Sequence, residues 1–248
     1  MNGLVAIYRR EMLSLWVTPL AWVLLFIFLL LQGASFYQIL LHFASFTNVS
    51  IDQGPVQAYF GQSLFLVLSL LLVCPALTMR LFAEERRSGT IESLLTAPVS
   101  ATGVVLAKYL ATFTTFTLMW APTVLYIVIL RKTGAVDWHV VMSSYVGVLG
   151  VGAGYLAVGT LMSAMTRSQL VAMMLTALVI FGLLIFGIGE RIFDPGPIRD
   201  VCAHVSVLSQ VDEFSKGIVD LRRLVYDGTV VALPLFVAIR VVDSWRWG

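Results

Sequence analysis

The side chains best suited to chemistry are two cysteines and three histidines, and their spacing argues against a metal or redox site. Cys74 lies in an apolar run and Cys202 lies in a distant polar segment, so they do not predict a disulfide framework or a pair of thiolate ligands. The three histidines, His42, His139 and His204, have no companion at the spacing that places two ligands on one helix face. We therefore predict no bound metal.

The sequence also lacks the short motifs that mark an enzyme. It contains no G-x-x-x-x-G-K-[ST] phosphate loop, no G-x-S-x-G elbow and no H-E-x-x-H pair. The net charge of +2 gives no basis for binding nucleic acid. We predict a non-catalytic chain that binds no cofactor itself and has no nucleic-acid partner.

Composition places this chain in a lipid bilayer. Hydrophobic residues make up 59% of the sequence, charged residues make up 12%, and the mean hydropathy is +0.91. A soluble domain carries about a quarter charged residues and could not cover this much apolar surface in water. We predict an all-α, polytopic membrane protein. Its six transmembrane helices, numbered spans 1 to 6, are expected at about 19–41, 56–79, 109–130, 140–166, 168–189 and 224–239.

Residues 1–18 precede span 1 and have the pattern of an amphipathic helix. Tyr8 and Trp16 lie on an apolar arc, whereas Arg9 and Arg10 fall on other faces. One interpretation is a positively charged flank of span 1. We favour a helix in the plane of the lipid headgroups, because an interfacial tryptophan suits that depth.

Charge distribution sets the predicted topology. The short outer loops hold only Arg131 and Lys132, whereas most other basic residues fall on the side of the N-terminus. The longer segment between spans 5 and 6 also carries basic residues and weakens this bias. We predict a multi-pass membrane protein with both termini in the cytoplasm.

The predicted spans contain few groups that could use an ion gradient. No span has an ionisable residue near its centre, although carriers and proton pumps usually place one there. Span 4 contains a G-x-x-x-G at Gly150 and Gly154, which permits close helix packing either within the chain or between subunits. Because the chain also lacks a phosphate loop, the energy for any transport must come from a partner.

The predicted cytoplasmic loop between spans 2 and 3 is the best candidate for contacting that partner. Four consecutive charges are followed by Gly89, and then three apolar residues recur at the spacing of one helix face. The residues alone do not separate a stripe bound in a partner's groove from one lying on the bilayer surface. The candidate contact residues are Glu84, Glu85, Arg86, Arg87, Thr90, Ile91, Glu92, Leu94 and Leu95.

The string from Glu84 to Ser100 resembles the signature loop of ABC-2 type permeases, especially their gliding-motility-type branch. The family pattern E-[ER]-x-x-G-T-x-E-x-L-L-[ST]-x-P follows the second span, as it does here. Residues 211–226 are similar to the family's F-x-x-F-x-x-G-V-x-D-x-R-x-x-x-Y stretch before the last span. Val211 departs from this pattern, because the family usually has an aromatic residue there.

The resemblance implies a single transmembrane domain, residues 1–248, acting as half of a transporter. A second permease subunit, identical or different, would pair with it. Each would bind an ATPase subunit that holds ATP and Mg. Residues 84–98 would be the coupling helix, with the four charges making polar contacts and the apolar stripe filling a groove on the ATPase. Residues 196–223 would form outer re-entrant helices that include Phe214, Gly217, Asp220 and Arg222.

The function implied by the resemblance is ATP-driven movement, expected to be export, of an unidentified substrate. An accessory protein could bind on the outer side. The alternative is a membrane scaffold whose complex uses ATP for assembly, motility or signalling. The sequence alone does not separate these two functions.

Overall fold

The computed structural model describes residues 2–45, 54–61, 63–89, 100–133 and 136–245. These residues form helices joined by short connections, and no strand occurs among them. Six helices in this part of the chain are long and apolar enough to cross a membrane. The predicted all-α, six-span fold is therefore confirmed.

The six spans have the following helical bounds. They are Pro19–Ser45, Leu64–Thr78, Ala101–Trp120 with its extension Val124–Thr133, Trp138–Met165, Gln169–Ile192 and Leu221–Ser244. Span 3 thus begins eight residues before position 109, and Lys108 lies inside its helix.

Five shorter segments complete the described fold. Asn2–Val17 is called the N-terminal helix, and Pro55–Phe60 is a short helix before span 2. The consecutive helices Pro197–Val205 and Val207–Ser215 are together called the hairpin. The fifth, Ala83–Ser88, is called the loop helix, and Gly89 ends it at a φ of 73°, a value that favours glycine. The end of the helix bundle that carries the loop helix is called the loop end. The opposite end, which carries the hairpin, is called the hairpin end.

Span 3 is interrupted near its middle by proline. A 3₁₀ turn, Ala121–Thr123, separates its two helical parts, because Pro122 has no backbone N–H for the helical ladder. The Thr123 hydroxyl donates to the carbonyl oxygen of Trp120 at 2.7 Å and also lies 2.7 Å from the Tyr145 hydroxyl. The break therefore has side-chain hydrogen bonds in place of the missing ladder.

Span 4 is the most buried span, and its glycines allow neighbouring elements to approach closely. A methyl group added at Gly150 would meet the Asp227 carboxylate, and one added at Gly154 would meet Val230. Both partners belong to span 6. The G-x-x-x-G motif is therefore packed within the chain, which confirms the first of the two interpretations given above.

Gly147 provides a test of this packing. An added Cβ would lie 2.7–2.9 Å from the Phe214 side chain, including its Cβ, so Gly147→Ala requires the backbone to shift. We expect the overpacking penalty of ~1–3 kcal/mol to exceed the gain in helix propensity, and the unfolding temperature to fall. The measurement is thermal unfolding of the purified protein in detergent.

The matched control is Gly182→Ala in span 5, where nothing lies within 4 Å of the added methyl group. This variant should be neutral or slightly stabilised, because only helix propensity changes. Equal unfolding temperatures for the two variants would contradict the packing described for span 4.

Candidate functional site

The loop helix is fixed to the end of span 4 at its first residues. The backbone N–H groups of Phe82 and Ala83 donate to the Ser163 hydroxyl at 3.0 and 3.3 Å, and that hydroxyl donates to the Met79 carbonyl at 3.1 Å. The first N–H groups of a helix have no partner within the helix, so one serine satisfies two of them. The start of the loop helix is thus held in a defined position.

Arg86 ties the loop helix to two spans. Its Nη1 donates to the carbonyl oxygen of Ala164 at the end of span 4, at 3.0 Å. Its guanidinium lies 4.7 Å from the ring centre of Trp245, which follows the last residue of span 6. Trp245 also packs edge-on against the buried Phe82 ring, with 6.1 Å between ring centroids.

A buried lysine joins the loop helix to span 3 and the N-terminal helix. The Lys108 Nζ donates to Glu11 Oε1 at 3.0 Å and to Glu85 Oε1 at 2.9 Å. Arg10 Nη2 donates to the same two oxygens at 3.0 and 2.9 Å. The Lys108 side chain is only 1% exposed, so its charge has to be compensated within the protein, and it contacts both carboxylates. We call Arg10, Glu11, Glu85 and Lys108 the ion-pair cluster.

The cluster shifts the pKa of two of its members. Burial would raise the pKa of Glu11, but the neighbouring Lys108 and Arg10 outweigh it, and the net pKa lies below the ordinary value of 4.5. The hydrogen bond to Glu11 raises the pKa of Arg10 above its ordinary value. The charged forms of Glu11 and Arg10 are therefore favoured. A cleft of about 400 Å³ opens beside these residues, between the N-terminal helix and the loop helix.

The four consecutive charges of the loop divide into two pairs. Glu85 and Arg86 turn inward to contacts within the chain, whereas Glu84 and Arg87 are exposed. The remaining predicted contact residues, Thr90, Ile91, Glu92, Leu94 and Leu95, lie outside the described residues.

The N-terminal helix packs along span 3. The Tyr8 hydroxyl donates to the Thr114 hydroxyl at 3.1 Å, and Arg9 is exposed. The Trp16 ring contacts Trp22 edge-on, with 5.5 Å between centroids. Tyr8 and Trp16 therefore contact the chain's own spans.

At the hairpin end, Phe214 is the central packing residue. It is fully buried against Gly147, and its carbonyl accepts a hydrogen bond from the Ser143 hydroxyl at 2.7 Å. Gly217 has a φ of 81° just after the hairpin, where a side chain would be strained. Asp220 caps span 6 by accepting from the backbone N–H of Arg222 at 2.9 Å, and the Arg222 side chain is exposed.

A buried arginine at this end escaped the sequence analysis. Arg223 donates to both Glu213 carboxylate oxygens at 3.1 and 3.0 Å, and to the carbonyl oxygens of Ala203 and His204 at 2.8 and 2.9 Å. One turn further along span 6, Asp227 accepts from Gln210 at 2.7 Å. The i, i+4 spacing of Arg223 and Asp227 is the signal that could have indicated a polar face.

A family model described as ABC-2 family transporter protein matches residues 11–184. The chain belongs to this family. The match runs from Glu11 to span 5 and includes the loop helix and Lys108. A comparison with curated proteins finds no significant match.

Membership in the ABC-2 family indicates the general kind of chain that this is. Members of the family are transmembrane subunits of ABC transporters and are generally not catalytic themselves. The loop end of this chain gathers salt bridges, cation–π contacts and capping hydrogen bonds, which attach the loop helix to the neighbouring helices.

Replacing Lys108 by Met tests the ion-pair cluster. Glu11 and Glu85 would lose their buried counter-charge, and the expected cost of ~3–5 kcal/mol should loosen the N-terminal helix from span 3. Leu15, which is 3% exposed on that helix, serves as a reporter after replacement by Cys. We expect its maleimide labelling to accelerate in Lys108→Met.

The control is Lys216→Met, because Lys216 is 45% exposed and pairs only with Asp212 among the salt bridges described. This variant should leave the labelling unchanged. Adding Glu11→Gln and Glu85→Gln to Lys108→Met should restore slow labelling, since no uncompensated buried charge then remains and Arg10 is 59% exposed. Unchanged labelling in Lys108→Met would refute the role given to the cluster.

The lowered pKa of Glu11 also predicts a pH dependence. A carboxylate whose pKa is lower in the folded state than in the unfolded state stabilises the folded protein at pH values above its ordinary pKa of 4.5. This stabilisation is lost as the pH falls through the lowered pKa. The unfolding temperature of the wild type should therefore exceed that of Glu11→Gln at neutral pH. The difference should shrink as pH is lowered below 4.5. A difference that stays constant would contradict the assignment.

Proposed function

We propose that this chain is the permease subunit of an ABC transporter and couples ATP hydrolysis on a separate ATPase chain to export of a substrate. The observation that carries the proposal is the attachment of the loop helix. Its inward residues bind span 3, span 4 and the residue that follows span 6, while Glu84 and Arg87 remain exposed. A segment fixed to several spans and exposed on its other face is suited to receiving force.

The exposed and inward residues have different roles in this proposal. Glu84 and Arg87 make polar contacts with the ATPase, together with Thr90 and Glu92. An apolar stripe formed by Ile91, Leu94 and Leu95 fills a groove on the ATPase surface. Glu85 and Arg86 transmit the movement inward through the contacts described above. ATP and Mg are held by the ATPase.

The loop end faces the cytoplasm of a bacterial cell in this proposal, with both termini on that side of the inner membrane. The N-terminal helix then lies at the headgroup level. Its face away from span 3 exposes Val5, Leu13 and Val17, which suit contact with lipid, and the adjacent Arg9 suits contact with phosphate. The hairpin faces the outer side, re-enters the membrane there and offers a surface for an accessory protein.

The transporter contains two permease subunits, either identical or different. Spans 1, 5 and 6 are the least buried spans and expose many large apolar side chains, which leaves surface for a second subunit as well as for lipid. Within the ABC-2 family we place the chain in the gliding-motility-type branch. Residues 84–98 and 211–226 support this placement by their likeness to that branch's patterns.

The scaffold function differs from transport in one measurable way. A transported substrate should stimulate ATP hydrolysis by the reconstituted complex, because substrate binding and ATPase closure are coupled through the same spans. A scaffold would show no stimulation across a broad substrate panel. The residues between spans 5 and 6 form the hairpin, which packs on the spans and leaves no separate substrate-binding domain there.

Changing Leu94 and Leu95 to Glu tests the ATPase contact. Two charges in an apolar groove should reduce co-purification of the ATPase at least about tenfold, since burying unpaired carboxylates is costly. The measurement is recovery of the ATPase with tagged permease from membranes, with permease abundance determined in parallel.

The matched control places two Glu residues at the hairpin end, at Ile198 and Val201. Both side chains are exposed and apolar, as the stripe is expected to be. This control should retain the ATPase. Full retention by the Leu94 and Leu95 variant would exclude the coupling role of the loop.

A further inference from the structure

We propose that Arg86 and Trp245 are positioning residues that link the loop helix to span 6, so that movement of the loop reaches the hairpin. This inference rests on the proposed function, because it assumes that an ATPase displaces the loop. It assigns the transmission to one span and to one pair of side chains.

The loop-end part of this link is a stack of two aromatic rings with a cation over each ring. Lys108 Nζ lies 5.3 Å from the centre of the Phe82 ring, and Phe82 meets Trp245 edge-on at 6.1 Å. The Arg86 guanidinium lies 4.7 Å from the centre of the Trp245 ring. Cations over aromatic faces are attracted by the ring quadrupole, and the attraction grows when water is excluded. Phe82 and Lys108 are both fully buried, so the inner part of the stack is dry.

The hairpin-end part is a set of polar bonds from the first turns of span 6. Arg223 binds Glu213 and two carbonyl groups of the hairpin, and Asp227 binds Gln210. These bonds reach both hairpin helices. Arg223 and Asp227 are themselves buried, so breaking either attachment would leave a charged group without partners.

Span 6 connects these two attachments as one helix. It runs as a single helix from Leu221 to Ser244, although Pro234 within it has no N–H to donate to the helical ladder. At a rise of about 1.5 Å per residue, Arg223 and Trp245 are separated by roughly 33 Å along the axis, close to the thickness of a bilayer core. A helix held at both ends transmits displacement from one end to the other.

Replacing Trp245 tests the link to span 6 separately from the other contacts of the loop helix. Arg86 also binds span 4 through the Ala164 carbonyl, and Glu85 binds span 3 through Lys108. Removing Trp245 leaves both of these contacts in place and removes the stack on the end of span 6. The loop helix would then still be held, but its link to span 6 would be weakened.

Cys202 provides a native reporter at the far end. Its thiol is 2% exposed in the first hairpin helix and packs against Gly189 of span 5. The experiment uses the complex with its ATPase in lipid nanodiscs and measures the rate of Cys202 modification by a small maleimide. The ratio is the modification rate with a non-hydrolysable ATP analogue divided by the rate without nucleotide. Peptide mass analysis separates Cys202 from the buried Cys74.

We expect nucleotide to change the Cys202 rate in the wild type, so that the ratio differs from one. In Trp245→Ala the ratio should move at least about threefold toward one, which is the scale of one cation–π contact. Trp245→Phe should restore most of the ratio, because a ring returns beneath Arg86. The KM for ATP should be the same in all three proteins. The control is Trp138→Ala at the start of span 4, which removes a comparable contact between a cation and a ring, with Arg131 at 5.4 Å from the ring centre.

Several results would overturn the inference. One is a Cys202 rate ratio in Trp245→Ala that equals the wild-type ratio. Another is a loss of the ratio in Trp138→Ala as large as that in Trp245→Ala, and the third is a wild-type ratio of one. Each would show that span 6 does not carry the movement. Retention of the ATPase by Trp245→Ala separates these failures from failure of the proposed function, in which the wild-type permease would bind no ATPase. If Trp245→Ala does not fold, Arg86→Lys should keep the ratio and Arg86→Gln should lose it, and equal ratios would refute the link.

Discussion

The buried ammonium group of Lys108 is the constraint around which the loop end is organised. A charge that is 1% exposed must be compensated within the protein, and the two carboxylates that do so come from different elements. Glu11 belongs to the N-terminal helix and Glu85 belongs to the loop helix. Burial of one side chain therefore fixes two elements against span 3. Apolar residues of the same volume could stabilise the fold equally well, so the ion pairs chiefly specify which elements meet.

The hairpin end uses the same principle with different residues. Arg223 is buried and distributes its donors over a carboxylate and two carbonyl groups of the hairpin. Between the two ends, the spans are apolar, and their contacts are set by shape. Gly147, Gly150 and Gly154 give span 4 a surface on which Phe214 and span 6 approach closely. Charges thus orient the short helices at both ends, while packing orients the spans.

The sequence predicted the number of spans correctly because hydropathy is a local property. It predicted the face of the N-terminal helix less well. On a helical wheel Val5 lies on the same apolar arc as Tyr8 and Trp16, yet it is exposed, whereas Ile7 lies off that arc and packs on the core. The reason is that this helix has an apolar surface on two sides, one against span 3 and one that remains exposed. A helical wheel cannot tell which side contacts protein.

The ion-pair cluster could not be read from the sequence for a different reason. Lys108 and Glu11 are separated by 97 positions, so no local spacing connects them. Lys108 looked like the boundary of span 3, because a lone charge usually ends an apolar run. Its carboxylate partners allow the helix to begin at Ala101 and the lysine to be buried. The same holds for the four consecutive charges of the loop. Which of them turn inward depends on how the loop helix is rotated against the spans, and the sequence does not give that rotation.

The family match covers residues 11–184 and so contains the ion-pair cluster and the loop helix, but not the hairpin or span 6. The attachment of those last elements has to be argued from this chain's own contacts. Span 6 meets the loop helix through Trp245, meets span 4 along the glycine surface, and meets the hairpin through Arg223 and Asp227. Each contact joins span 6 to a different element, so displacing span 6 at one end must strain the bonds at the other. Polar attachments at both ends of span 6 are what the proposed mechanical transmission requires.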